Sequence, residues 1–239
     1  MDYDFADPKH KGYTSQIDKS LKAFEYSTEW ADLISALGRL IKVIQSNSKS
    51  NHVPRSLLVG KRLAQCLHPA LPPGVHCKAL ECYDIIFRTI GPRGMSTELP
   101  IYGAGLFTLL GPSAMAVKPA LFDIFEEHLL PLGRALRPAF IGLLQGLLPG
   151  LEQGAEFSER GNRTIELFCA SVAPHVFYTC LWEVKSQQFV FYFPIHFGLH
   201  ITKSEFCSLS PVTAADYCSV GAAIWNLICF EPFQQAEVI

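Results

Sequence analysis

The sequence is poor in charge and contains no apolar run long enough to cross a membrane. Charged residues make up 18% of the 239 positions, against 49% that are hydrophobic. The formal net charge of -2 gives no basis for nucleic-acid binding by the chain as a whole. The apolar stretches 139–151 and 217–230 are both shorter than the roughly 20 residues that a spanning helix needs. We therefore predict no membrane span, and we expect a partner, a membrane or a neighbouring repeat to cover part of the apolar surface.

The N-terminus lacks the apolar segment of a signal peptide. Residues 1–7 carry three aspartates instead. We therefore expect a reducing, cytoplasmic setting. There the eight cysteines would act mostly as small buried apolar groups rather than as disulfide partners.

Motifs for metal binding and nucleophilic catalysis are also missing. His76, Cys77 and Cys82 lie close together in sequence, but no C-x-x-C pair accompanies them. His175 and Cys180 are near one another without an orienting third group, and His196 and His200 lie much further along the chain. We interpret the cysteines and histidines as packing or surface residues.

Two further patterns resemble functional motifs only superficially. Gly103 and Gly105 lack the third glycine and the preceding strand of a dinucleotide-binding loop, so we predict that they permit close helix packing. Glu126 and Glu127 are adjacent and should point to different sides of a helix, as on a solvated face. We predict no catalytic residue, no metal and no cofactor, and hence no enzyme.

The sequence does contain helical periodicity divided by proline and glycine. Ile17, Leu21 and Phe24 recur at spacings of four and three, which indicates a helix over 14–26. A second helix, capped by Ser27 or Thr28, has an apolar stripe made of Trp30, Leu33, Ile34, Leu37, Ile41 and Ile44. Further helices are predicted over 54–67, 75–90, 98–110, 118–130, 138–148 and 157–173, with another beginning at 175. Period-two alternation is almost absent before 182, which argues against a sheet.

The helices also recur at a regular spacing. Similar segments begin at Lys78 and Lys118, and they end at Gly91 and Gly133. Repeats of about 40–47 residues are typical of HEAT and armadillo arrays. We therefore predict an all-α fold of HEAT/armadillo-like stacked helix pairs, an α-solenoid, with a closed helical bundle as the alternative. The predicted domains are a mobile N-terminal arm (1–13), a helical-repeat domain (14–182) and a short irregular tail (183–239).

Four runs of sequence carry a family resemblance. They are DLISALGRL at 32–40, LPPGVH at 71–76, KALECY at 78–83 and GAGLF at 103–107. Through them, residues 3–182 resemble the N-terminal domain of the Dopey family of membrane-trafficking proteins. The resemblance implies a non-enzymatic scaffold or adaptor segment in vesicle-mediated protein transport between endosomes and the Golgi apparatus.

The resemblance also implies partners and a location. Family members work as peripheral membrane proteins on the cytoplasmic side of Golgi and endosome membranes. They associate with a large HEAT-repeat trafficking scaffold related to Arf exchange factors, and they are linked to an aminophospholipid flippase and to kinesin. We expect the same partners for this chain.

The tail, 183–239, departs from the pattern of the family. It is rich in aromatic residues, beginning with Phe189, Phe191, Tyr192, Phe193 and Phe197, and it continues neither the helix caps nor the repeat. We expect it to be disordered or weakly structured. One hypothesis is an alternative C-terminus, in which case the chain is a truncated regulatory isoform of the family.

Basic residues near the N-terminus form the one candidate binding site. They are Lys9, Lys11, Lys19 and Lys22, and aspartates lie among them. Lys19 and Lys22 share a helical face. A solvated surface is the plain interpretation, and contact with an anionic lipid or an acidic partner is the alternative.

Overall fold

The regular structure of the chain is helical throughout the part that can be described. A computed structural model describes residues 8–27, 29–148 and 157–192, and none of these residues lies in a β-strand. The prediction of an all-α fold is therefore confirmed. The chain divides into two compact units, Met1–Val172 and Ala173–Ile239.

The first unit contains seven α-helices in its described part. They are α1 (Pro8–Glu25), α2 (Trp30–Ser46), α3 (Ser56–Cys66), α4 (Pro73–Leu106), α5 (Lys118–Ile124), α6 (Phe140–Leu147) and α7 (Ser158–Val172). A 3₁₀ turn (Ser48–Ser50) follows α2, and a π-helical turn (Phe125–Leu129) and a 3₁₀ segment (Leu130–Ala139) separate α5 from α6. In the second unit, α8 (Pro174–Tyr192) is described.

The long segment α4 folds back on itself. Gly91 has φ 64° and ψ 177°, a conformation that no helix contains and that glycine adopts without a steric penalty. Tyr83 before the break and Tyr102 after it have ring centroids 6.2 Å apart. In a straight helix, 19 residues would separate them by about 28 Å. The arms 73–90 and 92–106 are therefore a helical hairpin with buried aromatic rings between them.

The first four helices pack as two stacked pairs. α1 packs on α2, and α3 packs on α4, while α2 also lies against α4 and α1 against α3. Each helix buries one apolar stripe, for example Leu37, Ile41 and Ile44 of α2. This arrangement is consistent with a solenoid-like fold. The repeat at a spacing of about 40 residues stays a prediction.

Small residues allow α3 to approach α4 closely. A Cβ atom on Gly105 would lie 2.6 Å from the Cα of Ala64, and one on Gly60 would lie 2.7 Å from a side-chain carbon of Ile101. Close helix packing at Gly105 agrees with the prediction from sequence. Gly103 has a different role, because a Cβ there would collide with the ring of Phe107 at 2.6 Å.

Three predictions for the N-terminal part were wrong. The arm proposed for 1–13 is not an arm from Pro8 onward, since α1 begins there and buries Tyr13; residues 1–7 lie outside the described part. The N-cap of α2 is Glu29, whose backbone N–H donates to Asp32 Oδ2 at 3.3 Å, rather than Ser27, and Thr28 is not described. Trp30 is 58% exposed and therefore lies outside the apolar stripe of α2.

Two predictions further along the chain also need correction. Residues 92–97, expected to be a loop, are helical, because Pro92 can occupy the first turn of a helix. Residues 183–192, assigned to an irregular tail, continue α8, so the break expected at Trp182 is absent. The remainder of the tail, 193–239, with His196 and His200, lies outside the described residues, as do Pro149 and Gly150. None of the described helices combines the length and the apolar character needed to cross a membrane.

We predict that Gly146→Ala destabilises the first unit. A Cβ on Gly146 would overlap the backbone oxygen of Phe107, so α6 would have to move away. The expected loss is about 1–3 kcal/mol in the free energy of unfolding, measured by urea titration with circular dichroism.

Gly12→Ala is the matched control for this prediction. A Cβ on Gly12, inside α1, meets nothing within 4 Å. The same substitution should therefore stabilise the protein by about 0.5–1 kcal/mol. Equal effects at the two positions would contradict the close approach of α6 to Phe107.

Candidate functional site

Asp84 on α4 accepts hydrogen bonds at the centre of a charged cluster. Arg88, one turn later, donates from Nε to Asp84 Oδ1 at 2.9 Å and from Nη2 to Glu127 Oε2 at 3.2 Å. His128 Nε2 lies 2.7 Å from the same Oδ1 atom. These four residues, which we call the Asp84 cluster, join the first arm of α4 to the π-helical turn.

The π-helical turn allows two consecutive residues to reach the same cluster. Glu127 contacts Arg88, while His128 contacts Asp84 and packs edge-on against Phe87, with ring centroids 5.6 Å apart. Single π turns occur often at functional sites. Sequence reasoning missed this cluster, because Asp84 and His128 are 44 positions apart. The available signal was the Asp84–Arg88 spacing of four, which a helix brings together.

The Asp84 cluster has the residue types of a metal site. One ligand atom from each of Asp84, Glu127 and His128 lies within 4.8 Å of the others. However, Arg88 already bridges the two carboxylates with its own positive charge. A metal ion would have to displace this guanidinium group. We therefore interpret the cluster as an ion-pair network that joins two helical segments, and we assign no metal to it.

Arg160 forms a second network, between α7 and α5. It donates to both oxygens of Glu126, at 3.1 Å and 2.8 Å, and to Asp123 Oδ1 at 2.7 Å. Its guanidinium carbon lies 5.3 Å from the centroid of the Phe122 ring, and Thr164 Oγ1 donates to Glu126 at 2.9 Å. We call this set the Arg160 network. In this network, the planar guanidinium group of Arg160 makes several charge-assisted hydrogen bonds.

The Arg160 network alters the titration of its members. Hydrogen bonds from Arg160 lower the pKa of Glu126, and the bond to Glu126 raises the pKa of Arg160. Glu126 thus contacts Arg160 while Glu127 contacts Arg88, so the two glutamates do point to different sides, as expected. The interpretation of Glu126 as part of a solvated face was wrong, since its side chain is 31% exposed and fully engaged in ion pairing.

Among the described residues, the cysteines and histidines that we weighed from sequence form no group that could hold a metal ion. His76 is buried, with Nε2 2.9 Å from the backbone oxygen of His68, whereas Cys77 is exposed. Burial raises the pKa of the Cys82 thiol, which opposes formation of a nucleophilic thiolate. In the second unit Cys180 is buried while His175 is exposed.

The four predicted lysines all lie exposed on α1. Lys11, Lys19 and Lys22 point away from the buried stripe of this helix. Of the aspartates that we expected to weaken their field, Asp18 pairs with Arg55 at 3.1 Å, and Asp2, Asp4 and Asp7 lie outside the described residues. Glu25 of α1 pairs with Arg62 at 3.5 Å. Within the described residues, Asp18 is therefore engaged by an arginine rather than by one of the lysines.

Two surface pockets lie in the first unit. One, of about 440 Å³, borders the Asp84 cluster and is lined by Gln45, Ser48, Asp84, Ile85, Arg88 and Thr89. The other, of about 330 Å³, lies where α6 meets the end of α4 and includes Phe107, Gln145 and Gly146. Both are open to solvent, and the Thr89 hydroxyl in the first of them donates to the backbone oxygen of Ile85 at 2.7 Å rather than to Asp84.

Comparison with known proteins identifies the family. The profile described as "Dopey, N-terminal" matches residues 7–188. The chain belongs to the Dopey family. It is 54% identical over 178 residues to "Protein DOP1 homolog" of Drosophila melanogaster, covering 74% of this chain and 7% of that protein. It is 49% identical over 176 residues to "Protein DOP1B" of Mus musculus (74% and 8%), and 37% identical over 152 residues to "Protein DOP1" of Saccharomyces cerevisiae (61% and 9%).

The Dopey match covers only a small part of each relative. The chain spans less than a tenth of the length of the relatives that it matches. The matched residues include the α1 lysines, the Asp84 cluster and the Arg160 network, and they extend six positions beyond Trp182. A comparison with solved structures found no match.

We predict that Arg160→Met destabilises the first unit by about 1–3 kcal/mol, because it leaves Glu126 and Asp123 without their cation. Urea unfolding followed by circular dichroism measures the change. Arg163→Met is the control, since Arg163 is exposed and donates no hydrogen bond to Glu126; we expect a change within about 0.5 kcal/mol. Equal losses would show that Arg160 acts as no more than a surface charge.

The stabilising effect of Glu126 should disappear in acid. Its pKa is lowered in the folded protein, so its contribution is complete above the unfolded value of about 4.5 and declines as the pH falls through the folded value. The difference in unfolding free energy between the native chain and Glu126→Gln should therefore shrink as the pH is lowered from 7 to 3. A difference that is constant over this range would contradict the assignment.

Proposed function

We propose that this Dopey-family chain is a non-enzymatic scaffold or adaptor segment in vesicle-mediated protein traffic between endosomes and the Golgi apparatus. The observation that carries the proposal is the Dopey N-terminal match over 7–188, on a fold made of stacked helix pairs. Such folds act by presenting an extended surface to partners.

The pairing of carboxylates with arginines supports this proposal. In the Asp84 cluster and the Arg160 network, carboxylates are bound by arginines from another helical segment. Catalytic carboxylates would instead converge on a substrate pocket with separated pKa values. The charges of both networks therefore serve to hold helices together, and the outer faces are left for contacts.

The partners and the location that we propose are those that the resemblance to the family implies. We propose that the chain works on the cytoplasmic side of Golgi and endosome membranes, as a peripheral protein. Its first partner would be a large HEAT-repeat scaffold related to Arf exchange factors, with an aminophospholipid flippase and kinesin as further partners. That the chain is a truncated regulatory form of the family stays a prediction.

Anionic lipid is the second candidate ligand. It is favoured by Lys11, Lys19 and Lys22, which lie exposed on one face of α1. Each such charge near an anionic membrane surface contributes about 1 kcal/mol to binding. Binding of the chain to vesicles that contain phosphatidylserine tests this alternative.

We expect the full chain, expressed with a biotin ligase in cultured cells, to concentrate on Golgi and endosome membranes and to label the HEAT-repeat scaffold. Leu37→Asp is the control, because Leu37 is completely buried and a charge there should unfold the first unit and abolish the labelling. A folded chain that is spread evenly through the cell and labels no trafficking scaffold would contradict the proposal.

A further inference from the structure

Two ion pairs fix α1 and α3 side by side. Asp18 pairs with Arg55, and Glu25 pairs with Arg62. On α1 the two acids are seven positions apart, which is about two turns or 10 Å, while Arg55 immediately precedes α3 and Arg62 lies in its second turn. The helices therefore run parallel and in the same direction, with a line of two ion pairs on their outer surface.

Lysines lie on the α1 side of this line. Lys22 is four positions after Asp18 and three before Glu25, so it lies between the two paired acids on the same face. Lys11 and Lys19 continue this basic face around and along α1. Within the described part of the structure, these three lysines have no ion-pair partner.

Exposed leucines lie on the α3 side of the line. Leu58 lies in the first turn of α3, one turn before Arg62 on the same side of the helix. Leu58 is 51% exposed and Leu57 is 71% exposed, and both share a helical face with exposed Lys61. Adjacent leucines on an outer helical face are a feature of contact surfaces. We call the lysine and leucine sides together the α1–α3 face, made of Lys11, Lys19, Lys22, Leu57, Leu58 and Lys61.

We propose that the α1–α3 face binds an acidic amphipathic helix of a protein partner. The inference rests on the proposed function, in which the chain presents a surface to partners. The charge of the face determines the chemistry of the ligand, since both acids between the helices are neutralised by arginines and four lysines remain. An acidic helix would lie along the two parallel helices, with its apolar side on Leu57 and Leu58 and its carboxylates toward the lysines.

The same geometry favours a helix over a membrane. The carboxylates of Asp18 and Glu25 lie between the lysines and the leucines. A flat anionic membrane would place phosphates over these ion pairs as well as over the lysines, whereas a helix can place neutral side chains over the ion pairs and its carboxylates over the lysines. A single helix, about 10–12 Å wide, contacts the leucines along one edge and the lysines along the other.

The test uses the full chain and labelled peptides of about five helical turns. The first peptide has leucines on one helical face and glutamates elsewhere, the second has lysines in place of the glutamates, and the third is a scrambled form of the first. Fluorescence anisotropy should show binding of the first peptide alone. Lys19→Glu with Lys22→Glu, and separately Leu57→Ser with Leu58→Ser, should each weaken it about tenfold or more.

Two double variants are the matched controls. Arg134→Glu with Arg137→Glu makes the same change of charge at exposed positions elsewhere, and Met115→Ser with Leu167→Ser removes exposed apolar side chains elsewhere. Neither should alter binding of the acidic peptide. Circular dichroism should show that all four variants are folded, because every changed side chain is exposed.

Vesicles of phosphatidylcholine with about 30% phosphatidylserine form the last arm. The proposal is overturned if the acidic peptide does not bind, if the control variants weaken it equally, or if the vesicles bind through Lys19 and Lys22 while the peptide does not. The localisation of the chain in cells need not depend on the α1–α3 face alone. Loss of peptide binding with normal localisation would therefore overturn the α1–α3 face and leave the proposed function standing.

Discussion

The reversal of α4 at Gly91 determines how the first four helices pack. Because the arms 73–90 and 92–106 fold against one another, Tyr83 and Phe87 of the first arm meet Tyr102 of the second in a buried interior. α2 and α3 then make most of their contacts with α4, and α1 is held by α2. An amphipathic helix is stable only when its apolar stripe is covered. A straight α4 would leave these stripes without a common surface.

Charge in this molecule determines the orientation of helices more than their stability. Arg55 with Asp18, Arg88 with Glu127 and Arg160 with Glu126 each connect different helical segments near the surface. Exposed pairs of this kind contribute about 0–1 kcal/mol, whereas burying a large apolar side chain contributes about 1.5–3 kcal/mol. The Arg160 network is the exception, because several hydrogen bonds and the Phe122 ring converge on one half-buried guanidinium group.

The sequence predicted the positions of the helices well, because proline and glycine act locally. Gly91 ends one helix and Pro174 begins another where the pattern indicated. The errors came from longer-range effects. Trp30 fits the periodicity of α2 but meets no neighbour that would bury it. The ion pairs between helical segments could not be predicted either. Arg88 and Glu127 are 39 positions apart, and the spacing of residues within one helix does not show which helices pack together.

The hairpin of α4 has a consequence for the order of folding. Its aromatic contacts join residues fewer than 20 positions apart. Chains rich in such local contacts have low contact order and fold rapidly. The earliest helix pairs can therefore acquire native neighbours while later segments are still being synthesised, and the transient exposure of apolar surface that leads to aggregation is kept brief.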